Sequence, residues 1–208
     1  MTVIVTVLKS GGEFQPEHVQ RLHAQFHNLP SICLSDVTVP GVDTFPLRFN
    51  WPGWFSKMEL FNPDLIHDDI LYFDLDTQIV INPEIYLYDD HFRMLSDFYH
   101  PDKPASGMMF IPHNFKAYIW SAWIDAPLKW ISECWGDQDV LEKICGREVA
   151  RFDSSVKSYK LHVAGPGMPG WHPTSSEGCG TIPTGTSILC FHGKPRPWDI
   201  QLPLAMHR

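Results

Sequence analysis

The sequence contains no uninterrupted apolar run that approaches the roughly 20 residues needed by a membrane-spanning helix. Its first residues, Met1 to Leu8, have no basic lead-in and no small-residue cleavage site, so we interpret them as a first β-strand and not as a signal peptide. The five cysteines include no Cys-x-x-Cys pair, which argues against a cysteine zinc site and favours reduced thiols. We therefore expect a soluble cytoplasmic protein with no transmembrane segment.

The sequence also lacks a basic surplus. It has 16 Lys and Arg residues against 24 Asp and Glu residues, which gives a formal net charge of -8. A nucleic-acid-binding protein gains much of its affinity by neutralising phosphates with Lys and Arg, so we expect no nucleic-acid partner. A phosphate-containing ligand would need a cation or a local basic cluster to offset the negative field of the protein.

The length and the first elements predict one α/β domain over residues 1–208. A chain of 208 residues is within the usual range of a single domain. Val3 to Leu8 is a short β-branched strand, Pro16 to Phe26 has helical periodicity, and Ser31 to Ser35 is a second strand. A strand, a helix and a strand within this span are typical of a mostly parallel sheet flanked by helices, as in Rossmann-like folds.

The remaining elements follow from the same patterns. Further strands are predicted at Asp68 to Asp74, Met94 to Phe98, Ser106 to Ile111 and Thr186 to Phe191. Helices are predicted at Asn114 to Trp135, broken near Pro127, and at Asp137 to Cys145, with Trp120, Trp123 and Trp130 in the core. The segment Ala164 to Gly185 is rich in glycine and proline, and a loop this long in a compact domain is usually functional or disordered.

One histidine pair has the spacing of a metal site but not the rest of its pattern. His23 and His27 are four residues apart on the predicted first helix. The glutamate and the third ligand of a zinc protease are absent, and we interpret this pair as part of a solvated helix face.

Two carboxylates follow the strongest strand. In Ile70-Leu71-Tyr72-Phe73-Asp74-Leu75-Asp76, two acids at i and i+2 come directly after an apolar run. Ligands of open α/β sheets bind beyond the carboxyl ends of the strands, and paired carboxylates suit a divalent cation that bridges phosphate oxygens. A solvated strand end is the alternative, because Asp-x-Asp is common by chance.

A basic and glycine-containing segment follows the last predicted strand. It reads Cys190-Phe191-His192-Gly193-Lys194-Pro195-Arg196-Pro197-Trp198. An imidazole can complete the coordination of a metal held by two carboxylates, and mixed nitrogen and oxygen ligands favour Mn²⁺ over Mg²⁺. Gly193 permits close backbone approach, and Lys194 and Arg196 can neutralise a diphosphate. A surface strand end with solvated charges is the alternative.

Together the two segments resemble those of the retaining family 8 glycosyltransferases, the glycogenin-like and galactosyltransferase-like enzymes with a GT-A fold. Those enzymes have a strand ending in Asp-x-Asp and a late His-x-x-Gly-x-x-Lys-Pro-Trp signature. Here the late motif, His-Gly-Lys-Pro-Arg-Pro-Trp, is two residues shorter between His and Trp. The departure leaves open whether Lys194 or Arg196 takes the role of the family lysine. The chain is similar to a short, divergent member.

The resemblance implies a GT-A nucleotide-diphospho-sugar transferase fold and a hexosyltransferase that takes a sugar from a UDP-sugar and transfers it, with retention, to an unknown acceptor. It implies Mn²⁺, or alternatively Mg²⁺, as the cofactor. The implied metal ligands are Asp74, Asp76 and His192. The implied nucleotide-binding residues are Leu8, Lys9, Asp36, Lys57, Leu75, Gly193, Lys194 and Arg196. For Lys57, a solvated lysine on an amphipathic helix is the alternative.

The resemblance also places residues near the donor sugar. Ser106 and Gly107 match a strand that flanks this sugar, and Gly136-Asp137-Gln138-Asp139 matches a segment that holds sugar hydroxyls. Retention can follow a front-face attack, or a double displacement for which Asp137 and Gln138 are the candidate catalytic residues. Asp137 is alternatively a helix N-cap. Trp171, in the glycine- and proline-rich segment, is the candidate acceptor or lid residue.

Two other functions fit parts of the sequence. Tyr72-Phe73-Asp74-Leu75-Asp76-Thr77 resembles the nucleophile motif of haloacid-dehalogenase-type phosphatases, in which Asp74 would attack phosphate and Asp76 would act as acid and base. That motif has Thr or Val four residues after its first Asp, where this chain has Gln78. The other alternative is a sugar-nucleotide-binding protein that has the same fold and no catalytic activity.

Overall fold

A computed structural model describes residues 1–202 of the chain, and the chain divides into two compact units. The first unit comprises Met1–Leu75 and Glu84–Arg151. The second comprises Asp76–Pro83 and the chain from Phe152 onward. Each unit is therefore assembled from two stretches of sequence. A single domain over residues 1–208 stays a prediction.

The strands form one large and one small sheet. In chain order they are β1 Thr2–Leu8, β2 Ser31–Ser35, β3 Thr44–Pro46, β4 Asp69–Phe73, β5 Thr77–Ile79, β6 Arg93–Ser96, β7 Pro104–Ile111, β8 Ala150–Arg151, β9 Val156–Ser158 and β10 Ile188–Cys190. The first unit contains a seven-stranded sheet in the order β3-β2-β1-β4-β7-β6-β8. Strand β7 is antiparallel to both of its neighbours, and the other pairs in this sheet are parallel.

The central position of β1 explains its composition. Its residues from Val3 to Leu8 are all buried, because a parallel strand is covered on both faces and is therefore continuously apolar. The predicted α/β architecture, a mostly parallel central sheet flanked by helices, is confirmed. The predicted strands at 68–74, 94–98, 106–111 and 186–191 are all present, with bounds that differ by at most two residues.

The helices show where the sequence patterns end. They are α1 Pro16–His23, α2 His113–Ile124, α3 Pro127–Glu133 and α4 Asp137–Cys145, and a 3₁₀ helix spans Gly53–Phe61. The predicted break near Pro127 is confirmed, because proline disfavours helical backbone at the preceding residue and Ala126 has φ -149°. Helix α1 ends three residues before the predicted end, and His27 and Asn28 have φ of 45° and 69°, which is incompatible with a continued helix.

The core of the first unit is rich in aromatic side chains. Trp123, Tyr72 and Phe61 are almost fully buried in it. Trp120 and Trp130 are partly buried and pack against the same cluster, so the predicted core role of these tryptophans is confirmed. This core fixes the large sheet against α2 and α4.

The second unit is built around β10. This strand is parallel to β9 and antiparallel to β5, and a π-helical turn at Tyr159–Val163 follows β9. The rings of Tyr159 and Phe191 stack with centroids 4.7 Å apart. These two residues are fully buried with Val163, Ala164 and Leu189 in a small core.

The segment from Ala164 to Gly185 contains no helix or strand, but its second half is bound to the π-helical turn. The amide of Glu177 donates to the Leu161 carbonyl at 2.7 Å, and the amide of Gly180 donates to the Val163 carbonyl at 2.8 Å. A side-chain carbon at Gly178 would lie 2.5 Å from the carbonyl carbon of Val163. Glycine is therefore required for this close approach.

The described residues contain neither a membrane-spanning helix nor a disulfide. Within residues 1–202, no helix is both long enough and apolar enough to cross a bilayer. In the same part of the chain, no disulfide links any of the five cysteines.

Candidate functional site

The carboxyl ends of β1, β2 and β4 lie at one edge of the large sheet. Parallel pairing aligns Leu8 with Ser35, so that Lys9 and Asp36 follow at the same edge. Strand β7 is antiparallel, and its beginning reaches the edge at which β4 ends: the amide of Asp74 donates to the Gly107 carbonyl at 2.8 Å. Topology thus brings together residues that the sequence separates.

Lys9 and Asp36 form one predicted part of the site. Nζ of Lys9 lies 2.6 Å from Oδ2 of Asp36 and donates to Oδ1 of Asn50 at 2.8 Å. The amide and hydroxyl of Ser10 also donate to Asp36, each at 2.8 Å. Burial acts to raise the pKa of Asp36, but the hydrogen bonds from Lys9 and Ser10 prevail and lower it to about 2. Asp36 is therefore an ionised acceptor at neutral pH, while its role towards a nucleotide stays a prediction.

Asp74 is oriented from one side. Its Oδ1 accepts the Lys57 ammonium at 3.1 Å and the Tyr72 hydroxyl at 2.5 Å. Its Oδ2 faces Gly107, where a side-chain carbon would lie 3.4 Å away. Because Lys57 and Tyr72 both bind Oδ1 and the side chain is 36% exposed, Asp74 presents its other oxygen beside a glycine.

Lys57 links two acids in the interior of the first unit. Its ammonium lies 2.9 Å from Oδ2 of Asp137, and the two side chains are only 7% and 5% exposed. It also donates to the Ser106 hydroxyl at 3.2 Å. Burial alone would lower the pKa of Lys57, but the charges of Asp137 and Asp74 raise it above its usual value. The interpretation of Lys57 as a solvated lysine is therefore wrong, since two carboxylates compensate its burial.

Asp137 and Gln138 begin α4 at this edge. Burial raises the pKa of Asp137, although Lys57 opposes the shift. Oε1 of Gln138 accepts the amide of Ser106 at 3.4 Å, and its Nε2 contacts Asp97 at 3.5 Å. Gly136 immediately precedes them in extended conformation. The predicted donor-sugar and catalytic residues of the first unit are thus connected by hydrogen bonds and an ion pair.

In the second unit, Asp76 is bound to the late basic segment. The guanidinium of Arg196 forms an ion pair with its Oδ2, and the amide of Gly193 donates to the same oxygen at 3.4 Å. Gly193 has φ of 102°, a conformation that favours glycine. Asp76 is 5% exposed, and Leu75 before it is also buried. Of the two candidate cations, Arg196 is the one that contacts Asp76, and Lys194 is exposed.

His192 is held by residues that the sequence analysis did not single out. Its Nε2 lies 2.5 Å from the Ser158 hydroxyl, and its carbonyl accepts the Lys160 ammonium at 3.0 Å. Burial, reinforced by the charge of Arg196, lowers the pKa of Lys160. The segment around His192 therefore has a third cation beside Lys194 and Arg196.

The predicted metal ligands are divided between the units: Asp74 belongs to the first, and Asp76 and His192 to the second. Neither unit alone assembles the triad. Within residues 1–202, the three acidic or imidazole side chains with ligand atoms mutually within 4.8 Å are Asp89, Asp90 and His91, a different set from the predicted one. The chemistry of the predicted donors, carboxylate oxygen and imidazole nitrogen, fits Mn²⁺, and Asp74 keeps Oδ2 beside Gly107 for a ligand.

Trp171 belongs to the second unit. It is half-buried and packs against the small core formed around Tyr159 and Phe191. Its amide donates to the Met168 carbonyl at 3.2 Å. Its role as an acceptor or lid residue stays a prediction.

Sequence reasoning missed Tyr72, Ser158 and Lys160. Tyr72 had a detectable signal, because residues at i and i+2 of a strand point to the same face and Tyr72 is two positions before Asp74. Ser158 and Lys160 had none, since they reach His192 only through the pairing of β9 with β10. Long-range pairing of this kind is not visible in local periodicity.

No family model and no curated protein matches the sequence, but solved structures match the fold. Glycosyltransferase GlyE of Streptococcus pneumoniae TIGR4, in its apo form, covers 94% of this chain with TM-score 0.63 and 12% identity. LgtC, a galactosyltransferase in complex with donor and acceptor sugar analogues, covers 94% with TM-score 0.60 and 12% identity. The bifunctional glycosyltransferase WbbM covers 95% with TM-score 0.60 and 11% identity.

The extent of these matches differs. The chain spans 89% of LgtC but only 55% of GlyE and 46% of WbbM. At such low identities the likeness establishes the architecture and leaves activity to be argued from the residues. The predicted fold is confirmed: this chain has the α/β fold of the GT-A glycosyltransferases.

Proposed function

We propose that the chain is a metal-dependent glycosyltransferase of the retaining family 8 kind, which transfers a sugar from a UDP-sugar to an acceptor. The observation that carries the proposal is the position of Lys57 between Asp74 and Asp137 at the carboxyl edge of a GT-A sheet. Burying the charges of Lys57 and Asp137 is costly unless they are paired, and charged groups arranged in this way are common where an enzyme stabilises developing charge.

The nucleoside end of the donor is assigned to Leu8, Lys9 and Asp36. The Asp36 carboxylate is ionised and is fixed by Lys9 and Ser10, so it is a preorganised acceptor for a hydroxyl or an amide of the ligand. Preorganised acceptors require little rearrangement on binding.

The diphosphate is assigned to Gly193, Lys194 and Arg196. Arg196 is a planar donor suited to phosphate, and Gly193 allows the backbone to approach a ligand closely. Lys160 joins this set because it is bonded to the His192 carbonyl. These cations would oppose the net charge of -8 and stabilise a leaving diphosphate.

Asp74, Asp76 and His192 are the residues that would hold the divalent cation, Mn²⁺ or alternatively Mg²⁺. When bound, it would supply positive charge to the diphosphate as a Lewis acid. The protein contributes orientation: Lys57 and Tyr72 fix Asp74 through Oδ1, and Arg196 and Gly193 contact Asp76.

In the transfer, the bond between the anomeric carbon and the phosphate oxygen breaks, and its electron pair leaves with the nucleoside diphosphate. An acceptor hydroxyl forms the new bond on the same face, and its proton passes to the departing phosphate oxygen. The burial of Asp137 and its ion pair with Lys57 favour this front-face route over nucleophilic attack by Asp137. Gln138, bonded to Ser106, would then position the donor sugar together with Gly107 and Gly136.

Trp171 is retained as the proposed acceptor or lid residue. The hydrogen bonds of Glu177 and Gly180 to the π-helical turn restrict any closure to the residues before 177. A closing segment would exclude water that hydrolyses the donor.

The test is release of nucleoside diphosphate from a panel of nucleotide sugars, with Mn²⁺, with Mg²⁺ and with a chelator. We expect release from a UDP-sugar that requires the cation, and its loss in Asp76→Asn with the fold retained. Asp125→Asn is the matched control, because Asp125 is an exposed acid at the end of α2 and is not one of the predicted metal ligands. Absence of release from every nucleotide sugar under both cations would overturn the proposal.

A further inference from the structure

Two exposed tryptophans are neighbours of Gly136, one in sequence and one in space. Trp135 and Trp54 are 92% and 67% exposed, although tryptophan is among the most buried residue types on average. A side-chain carbon at Gly136 would lie 3.5 Å from the Trp54 ring. Asp137, the residue after Gly136, is buried and forms an ion pair with Lys57. Gly136 therefore connects two exposed tryptophans, Trp135 along the chain and Trp54 in space, to Asp137 of the buried charged pair.

Trp135 borders an open cleft of about 530 Å³. The residues around this cleft are Glu133, Trp135, Asp139, Glu142, Lys143 and Arg147. The amide of Trp135 donates to Oδ2 of Asp139 at 2.9 Å, which fixes the backbone that presents the ring. The Arg147 guanidinium is held by Glu142 at 2.6 Å. One flat apolar ring thus adjoins several ordered hydrogen-bonding groups.

This combination selects among ligand classes. A purely apolar partner would desolvate the charged groups around the cleft without replacing their hydrogen bonds, which is unfavourable. A phosphorylated or otherwise anionic ligand would face three carboxylates and two cations. A neutral sugar offers a C–H face for the ring, with hydroxyls that donate to carboxylates and accept from Lys143 and Arg147.

We propose that the cleft beside Trp135 binds a neutral carbohydrate, and that this carbohydrate is the acceptor of the transfer. The second half of the inference rests on the proposed function, and the first half does not. Trp135 forms the stacking platform, and the carboxylates of Asp139 and Glu142 bind the hydroxyls.

The test is binding of the full chain to an array of neutral and acidic glycans. Wild type is expected to bind at least one neutral glycan, and Trp135→Ala to weaken that binding at least tenfold. Tyr88→Ala is the control, since Tyr88 is an aromatic residue of the same unit that is 85% exposed, and it is expected to bind as wild type does. Glu142→Gln serves as a second variant should Trp135→Ala fold poorly, and it is expected to weaken the same glycan.

Each outcome decides the proposal. Loss of the neutral glycan in Trp135→Ala or Glu142→Gln, with Tyr88→Ala unchanged, supports the site. No binding to any neutral glycan, or equal binding by wild type and both variants, overturns it. Glycan binding through Trp135 by a chain that hydrolyses no nucleotide sugar overturns the proposed function and leaves the carbohydrate site standing. Nucleotide-sugar hydrolysis by a chain that binds no neutral glycan supports the proposed function and overturns the carbohydrate site.

Discussion

The ammonium group of Lys57 lies 2.9 Å from the carboxylate of Asp137 and 3.1 Å from that of Asp74. Replacing Lys57 with methionine would keep most of the volume and leave two carboxylates without their cation. Breaking a buried ion pair by removing one partner costs about 3–5 kcal/mol. We therefore expect Lys57→Met to lower the free energy of unfolding in urea by about that amount.

The control for this measurement is Lys129→Met, because Lys129 is an exposed lysine on α3. Surface substitutions of this kind usually change stability by less than about 0.5 kcal/mol. A Lys57→Met protein as stable as the Lys129→Met protein would show that the charged network contributes nothing to folding.

His23 predicts a dependence of stability on pH. Its ring lies 2.9 Å from the Thr6 hydroxyl and 3.1 Å from the Ser31 hydroxyl, and burial lowers its pKa from 6.5 to about 4. Between these values the unfolded chain binds a proton that the folded protein excludes, so stability rises with pH. We expect the urea midpoint to fall from pH 7 to pH 4, and to fall less in His23→Gln. His100→Gln, at an exposed histidine, should retain the wild-type slope.

The ion pair of Arg196 with Asp76 distinguishes Arg196 from Lys194, whereas the sequence left open which of them binds the diphosphate. Charge-assisted contacts to phosphate are lost when a cation is removed. We expect Arg196→Gln to weaken UDP at least tenfold and uridine much less, as measured by calorimetry, and Lys194→Gln to have a smaller effect. Equal weakening of UDP and uridine by Arg196→Gln would assign Arg196 to the fold rather than to the diphosphate.

Lys160 adds a prediction about the same ligand. Its ammonium donates to the His192 carbonyl, and its pKa is lowered by burial. Lys160→Gln should weaken UDP more than uridine in the same titration, and Lys157→Gln, on the adjacent strand β9, is the matched comparison. Identical UDP affinities for the two variants would exclude Lys160 from phosphate binding.

Gly178 predicts a packing defect. A side-chain carbon there would lie 2.5 Å from the backbone of Val163, so Gly178→Ala must displace one backbone segment. Overpacking typically costs 1–3 kcal/mol, and we expect a loss of about 2 kcal/mol or more in thermal or urea unfolding. Gly12→Ala is the control, since nothing lies within 4 Å of the added carbon. Equal stability of the two variants would mean that the segment is not packed as described.

The sequence predicted the elements that depend on local pattern. Strand β1 is continuously apolar, Pro127 marks the helix break, and the acids after β4 mark the edge at which other strands also end. It did not predict what depends on contacts between distant residues. Lys57 was predicted as a nucleotide-binding residue, with a solvated lysine as the alternative. Its pairing with two acids was not predicted, because both acids are far away in sequence and only the sheet and α4 bring them to it.

His23 is a second residue whose contacts the local sequence pattern did not predict. The spacing of His23 and His27 fits one face of a helix, and a solvated face was the natural interpretation. That interpretation is wrong for His23, because α1 ends there and the ring is bonded to Thr6 and Ser31 on neighbouring strands. Which histidine becomes neutral and buried is decided by the strands it meets, not by its spacing.

The pairing of β5 with β10 has a consequence for how the chain is made. Gln78 pairs with Leu189, so the small sheet joins a strand synthesised early to one synthesised about a hundred residues later. Contacts this distant form slowly because a long loop must close first. During synthesis the N-terminal part of a chain emerges first, so β5 cannot pair with β10 until β10 has left the ribosome. Ribosome-bound chains that end before β10 would therefore lack the strand partner of β5.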